Sequence, residues 1–220
     1  MKKNWWKFLI LLFAAYAIPM SFLGEVSVQT VLHETIRNLY FHVTMWFSMF
    51  IFFIISLVYS VRYLRKQQVK DDVRAQLAAV VGMVYGTVGI FTGMIWANNT
   101  WGAPWVNDPQ LNGAAITMLS YLAYFILRSS INDDQKKARI SAVYNIFSFS
   151  LMFILIGIMP RINDSLHPGK GGNPGFGSYD LAPGMRPVFY SCIFMWTLAG
   201  VWMLQIHTRI RMMEEQLKNK

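Results

Sequence analysis

Six mainly apolar stretches alternate with polar segments along the chain, over positions 6–23, 43–61, 77–96, 113–131, 141–159 and 188–206. Most approach the ~20 residues that carry an α-helix across the hydrocarbon of a bilayer. The fourth is the shortest, with a continuous apolar run only from Ala114 to Leu127. The first has a competing reading, because Lys2, Lys3 and Lys7 precede an apolar run with Ala15-Tyr16-Ala17, which resembles a signal-peptide cleavage site. Apolar sequence continues past that point to Leu23, so a retained helix is favoured. The pattern predicts an all-α integral membrane protein, one domain over 1–220 built as a bundle of six transmembrane helices.

Composition agrees with this pattern. The 220 residues are 55% apolar, 15% aromatic and only 14% charged, too little polar surface to enclose a water-soluble core of this size. The net charge of +9 would suggest nucleic acid in a soluble protein, but in a membrane protein basic residues mark cytoplasmic helix ends. With the amino terminus inside, sixteen of the twenty Lys and Arg fall in cytoplasmic segments, and only Arg37, Arg161, Lys170 and Arg186 lie outside. Both termini are therefore expected in the cytoplasm, with outer loops at 24–42, 97–112 and 160–187, and no nucleic-acid partner is expected. The single Cys192 can form no internal disulfide, and no Cys-x-x-Cys-His haem-attachment site occurs, so the chain is not itself a c-type cytochrome.

The chemistry-bearing residues gather in the outer loops. Positions 96–111 hold Trp96, Trp101 and Trp105, two prolines and Asp108. Pro104 and Pro109 stop a helix from running through. Interfacial anchoring is one reading of such tryptophans. Three of them within ten residues, with Gly102 permitting close backbone approach and no basic residue nearby, equally suggest an apolar platform for a flat ligand. Asp108 reads either as a turn residue before Pro109 or as a ligand contact. His42, at the outer end of the second stretch, and His167, in a Gly- and Pro-rich outer segment, lie on the same face, and neutral imidazole is a strong ligand for haem iron. His33, beside Glu34 and Arg37, reads as solvated or salt-linked, and His207 as an interfacial residue.

These residues resemble the CcmC family, the haem-handling membrane component of cytochrome c maturation. The resemblance spans almost all of the chain, and its most specific part is Trp101-Gly102-x-x-Trp105-Val-x-Asp108-Pro109, which reproduces most of that family's Trp-Gly-x-x-Trp-x-Trp-Asp pattern. Asn107 stands where the pattern has its last tryptophan, Gln110 where an arginine is common, and Thr44 where a proline often follows His-Val. The resemblance implies haem b held non-covalently and transiently, with His42 and His167 as axial ligands and Trp96, Trp101, Gly102, Trp105 and Asp108 as haem contacts. It further implies presentation of haem to the chaperone CcmE at the outer face of a bacterial inner membrane, together with CcmA, CcmB and, as a further candidate subunit, CcmD. The four outer cations are candidates to pair with haem propionates.

Three other functions compete. A membrane b-type cytochrome usually places its two histidines inside the helix bundle, not at a helix end and in a loop. A transporter for a small solute, if proton- or ion-coupled, needs ionisable residues within its helices, and with the fourth run bounded at Ala114–Leu127 the six apolar runs hold no Asp, Glu, Lys or Arg but Lys7, near the start of the first. A haem-attaching synthase of the CcsA type is generally much larger. No nucleophile with a base partner is visible, so binding and delivery, not bond-making, is the expected activity.

Overall fold

The computed structural model describes residues 4–27, 33–167 and 181–218. Every regular element among them is helical, and none is a strand. The main helices are α1 (Lys7–Leu23), α2 (His42–Lys66), α3 (Val69–Trp101), α4 (Pro109–Ser129), α5 (Asp134–Met152), the short α6 (Met159–Ile162) and α7 (Arg186–Lys218). Five spans, Glu34–Lys66, Val69–Trp101, Pro109–Ser129, Asp134–Ile162 and Pro183–Leu217, are long and apolar enough to cross a bilayer. The apolar α1 is shorter, at 17 residues, and packs along α7, where Phe13 stacks on Phe194 with ring centroids 5.6 Å apart.

Several helices outrun the apolar stretches that predict them. α3 begins at Val69, not 77, because a helix tolerates charge wherever the charge finds a partner. Arg128 makes a two-pronged ion pair with Asp72, at 2.8 and 2.6 Å, and Arg62 lies 3.4 Å from Asp71. The link from α2 to α3 is correspondingly tight: Gln67 takes a left-handed conformation at φ 51° and caps α2. At its other end α3 continues through Trp101 and stops at Gly102, whose φ of 78° suits a residue without Cβ. The irregular part of the tryptophan segment is therefore only 102–108.

α5 passes into a π-helical stretch, Phe153–Ile158, before the closing turn of α6. Pro160, the second residue of α6, cannot donate to the preceding turn. Such widened turns often sit at functional sites, and this one contributes Phe153, Ile156, Gly157 and Ile158 to the wall of the cavity described below.

The bundle core is aromatic and methionine-rich: Phe53 stacks on Tyr121, and Met49, Phe52 and Met152 are fully buried around them. A polar seam runs through it. Asn145 of α5 donates to the hydroxyls of Ser56 and Ser60 on α2 at 2.7 Å each, Ser56 donates to the Ala75 carbonyl of α3, and Ser120 of α4 bonds Ser148. In an apolar bundle such bonds align helices. Replacing Asn145 with alanine is expected to cost about 1–2 kcal/mol, read as a lower unfolding midpoint in detergent; a midpoint equal to wild type would show the seam to be dispensable.

Candidate functional site

His42 is the first residue of α2, and its buried ring faces α3. Two glycines of α3 make this possible. A Cβ on Gly93 would stand 2.6 Å from His42 Cε1 and 3.0 Å from Nδ1, and one on Gly89 would press on the Trp46 indole at 3.1 Å. The Gly89 carbonyl lies 2.8 Å from His42 Nδ1. A carbonyl can only accept, so Nδ1 carries the proton and Nε2 is left with a free lone pair. The Thr92 hydroxyl, 3.4 Å from Nδ1, spends its own proton on the Val88 and Gly89 carbonyls. A backbone carbonyl fixing the distal nitrogen is the usual outer support of a metal-ligating histidine.

His167 reaches the same place from the segment after α6. Its ring centroid is 5.9 Å from that of His42, with the planes 27° apart. Trp96 stacks near it at 6.2 Å and 19°, Trp101 stands edge-on at 6.2 Å and 86°, and the two indoles meet in a T at 5.0 Å. His167 Nδ1 is buried without a hydrogen-bond partner among the described residues. Burial pushes the imidazole from 6.5 down to about 4, outweighing the upward influence of Asp108.

Asp108 explains how His167 is held. Its carboxylate is 1% exposed and serves two segments at once. It caps α4, accepting from the Gln110 and Leu111 amides at 2.9 and 3.4 Å, while Pro109 opens that helix. It also accepts from the Ser165 hydroxyl at 2.9 Å and the Leu166 amide at 2.8 Å. Burial alone would raise its pKa; the donors at Leu166, Ser165, Gln110 and Leu111 together hold it below the ordinary value. Ser165 Oγ in turn accepts from the His167 amide. Of the two readings the sequence left open, the geometry gives Asp108 an N-cap and a latch.

A cavity of about 870 Å³ opens at this end of the bundle, within the range of about 300–1,000 Å³ usual for small-molecule and cofactor sites. His42, His167, Trp96, Trp101 and Trp105 line it, whereas Gly102 and Asp108 are not among its lining residues. Trp105 stands at the rim, 37% exposed, with its indole N–H 3.3 Å from Asn112 Oδ1. Arg161 is the only cation among the described lining residues; its guanidinium bonds the Gly157 carbonyl. Of the other outer cations, Arg37 is engaged with Glu34 and the Ser21 and Gly24 carbonyls, Arg186 with the Leu181 carbonyl, and Lys170 lies outside the described residues. Trp46, four residues after His42 on the same side of α2, and the Gly89/Gly93 pair also shape the site, and their four-residue spacing is the signal the sequence holds for them.

The donor set fits haem. Two imidazole nitrogens each about 2 Å from one metal place their ring centroids about 6 Å apart, close to the separation found. Among the described residues no three His, Cys, Asp or Glu gather, and a macrocycle is one source of the further ligands that a metal held by this pair would take. The rest of the wall is largely apolar and aromatic, suited to a flat hydrophobic ring.

A neutral His167 has a measurable consequence. Its folded-state pKa is below its unfolded value, so its contribution to stability is complete above about pH 6.5 and is lost as pH falls toward about 4. The haem-free protein is expected to lose thermal stability between pH 7 and pH 4.5. His167→Gln should flatten that slope; equal slopes for both proteins would show that His167 is not buried neutral.

Fold and site together define a multi-pass helical membrane protein with a two-imidazole, tryptophan-walled cavity at one end of its bundle. Residues 5–159 match the family described as cytochrome c assembly protein, and the chain belongs to that family. It is similar to heme exporter protein C of Paracoccus denitrificans, 26% identical over 171 residues, which cover 77% of this chain and 68% of that protein. Heme exporter protein C of Bradyrhizobium diazoefficiens is 31% identical over 110 residues, covering 50% of this chain and 41% of that protein. Cytochrome c biogenesis protein CcsA of Cuscuta reflexa is 33% identical over 101 residues, covering 46% of this chain and 30% of that protein. The aligned part thus spans about two thirds of the Paracoccus relative and less than half of the other two. His42 and the tryptophan segment fall inside the family match and His167 falls outside it.

Proposed function

We propose that this protein binds haem b reversibly between His42 and His167 and presents it to a CcmE-type haem chaperone during cytochrome c maturation. The carrying observation is the imidazole pair, its ring centroids 5.9 Å apart in an aromatic-walled cavity that offers no third His, Cys, Asp or Glu ligand among the described residues, in a chain of the cytochrome c assembly family. His42 and His167 would hold haem through its iron, whose chemistry the cofactor would supply. His42 offers Nε2 as a ligand because the Gly89 carbonyl holds its other nitrogen protonated. His167 offers a neutral nitrogen because burial keeps it unprotonated, and Asp108 keeps that ring in place. Trp96 and Trp101 exclude water beside His167, while Trp105 at the rim leaves an approach for a partner. Arg161 is the cation placed to meet a propionate.

In this reading α1 and the five longer spans form six crossings of a bacterial inner membrane, with both termini cytoplasmic and the cavity periplasmic. The basis is the concentration of sixteen of twenty cations at the opposite segments. CcmA, CcmB and CcmD are the proposed companions, and the chain itself makes no covalent bond. Absorption spectra of the purified protein beside His42→Ala and His167→Ala test the assignment. Wild type should show a bis-imidazole haem spectrum and each variant should lose it; one spectrum shared by all three would refute the axial roles.

A further inference from the structure

A second cavity, of about 800 Å³, lies between α2, α3 and α7 at the end of the bundle away from the histidine pair. Arg62, which lines it, follows His42 by twenty residues on α2, an axial rise of about 30 Å, close to the thickness of bilayer hydrocarbon. Four cations from three helices face it: Arg62, Lys70, Arg74 and Arg209. No carboxylate is among its described lining residues. Arg62 shares its charge with Asp71 at 3.4 Å, whereas Lys70, Arg74 and Arg209 have no ion pair among the described residues. The guanidiniums of Arg62 and Arg74 each rest 5.2 Å from the Tyr59 ring, which spaces two planar donor forks on one support. Beyond this rim the wall turns apolar, through Ile54, Val58, Val201 and Leu204, and Ile54 and Val58 are 44% and 48% exposed.

We propose that this cavity is a binding site for an anionic phospholipid, with the headgroup phosphate among Arg62, Lys70, Arg74 and Arg209 and an acyl chain along Ile54, Val58, Val201 and Leu204. Unpaired cations converging without a carboxylate call for a phosphate. The exposed apolar wall selects a lipid over free phosphate, which would leave that wall uncovered. A phosphate held there ties the α2–α3 hairpin to α7.

Native mass spectrometry of the purified full chain, titrated with phosphatidylglycerol and with phosphatidylcholine of the same acyl chains, tests this. Phosphatidylglycerol should bind preferentially, and Lys70→Gln/Arg74→Gln/Arg209→Gln should weaken it by roughly tenfold or more. The charge-matched control Lys136→Gln/Lys137→Gln/Arg139→Gln should leave it unchanged. A haem spectrum equal to wild type certifies the fold of the triple variant; should that variant not fold, Arg74→Gln alone carries the comparison with a smaller loss. Equal binding of the two lipids, equal loss in variant and control, or displacement of the lipid by millimolar inorganic phosphate would each overturn the proposal.

Discussion

Asp108→Ala is expected to abolish stable haem retention while sparing the five membrane-length spans. The change removes the N-cap of α4, worth about 0.5–2 kcal/mol, and strips a buried acceptor from the Leu166 amide and Ser165 hydroxyl, each left unpaired at a cost of about 1–3 kcal/mol. The loss falls on the junction that holds His167 beside His42. The haem-bound protein should lose its bis-imidazole spectrum, and residues 163–167 after α6 should become sensitive to limited proteolysis. Asp108→Asn should be intermediate, because its carbonyl oxygen can still cap α4 while its NH2 confronts the Leu166 N–H. Wild-type spectra and proteolysis in the alanine variant would show that His167 is held by something other than this carboxylate.

Gly93→Ala makes the opposite approach, leaving every ligand in place and denying one of them room. The added methyl would meet His42 Cε1 at 2.6 Å, inside any real carbon contact, so the buried ring must swing away and give up its 2.8 Å bond to the Gly89 carbonyl. Haem affinity should fall by at least tenfold, with overpacking costing about 1–3 kcal/mol of stability. Gly184→Ala, where nothing lies within 4 Å of the added atom, is the control and should bind as wild type. If Gly93→Ala binds haem as tightly as that control, the orientation of His42 against the Gly89 carbonyl is not the one that ligates.

The separate effects expected of Asp108 and Gly93 mark where sequence reading reaches its limit. The histidine and tryptophans of the cavity wall were visible: His42 at the start of an apolar helix, and three tryptophans crowded between two others. The roles of Asp108 and Gly102 were not, because a carboxylate before proline reads alike as a cap or a ligand until its partners are placed. Ser165 and Leu166 supply those partners from more than fifty residues away. Arg161 gave no local signal that set it apart from the other three outer cations. Among the described outer cations it was distinguished by its place in the cavity wall, which neither Arg37 nor Arg186 lines. Helices run past the apolar stretches for a related reason: hydropathy marks the part of a helix that lipid can cover, while α3 runs on through Asp71 and Asp72 where Arg62 and Arg128 neutralise them.

What the amino-acid order determined by itself is the helical, membrane-embedded character of the chain, through apolar runs too long and too free of charge for water. It also determined which side-chain chemistries were on offer. The meeting of His42 with His167, the glycine-lined space that admits one ring and the buried carboxylate that fixes the other were decided by tertiary structure alone. Each depends on contacts between distant segments, and local periodicity carries no information about which distant segments will pack together.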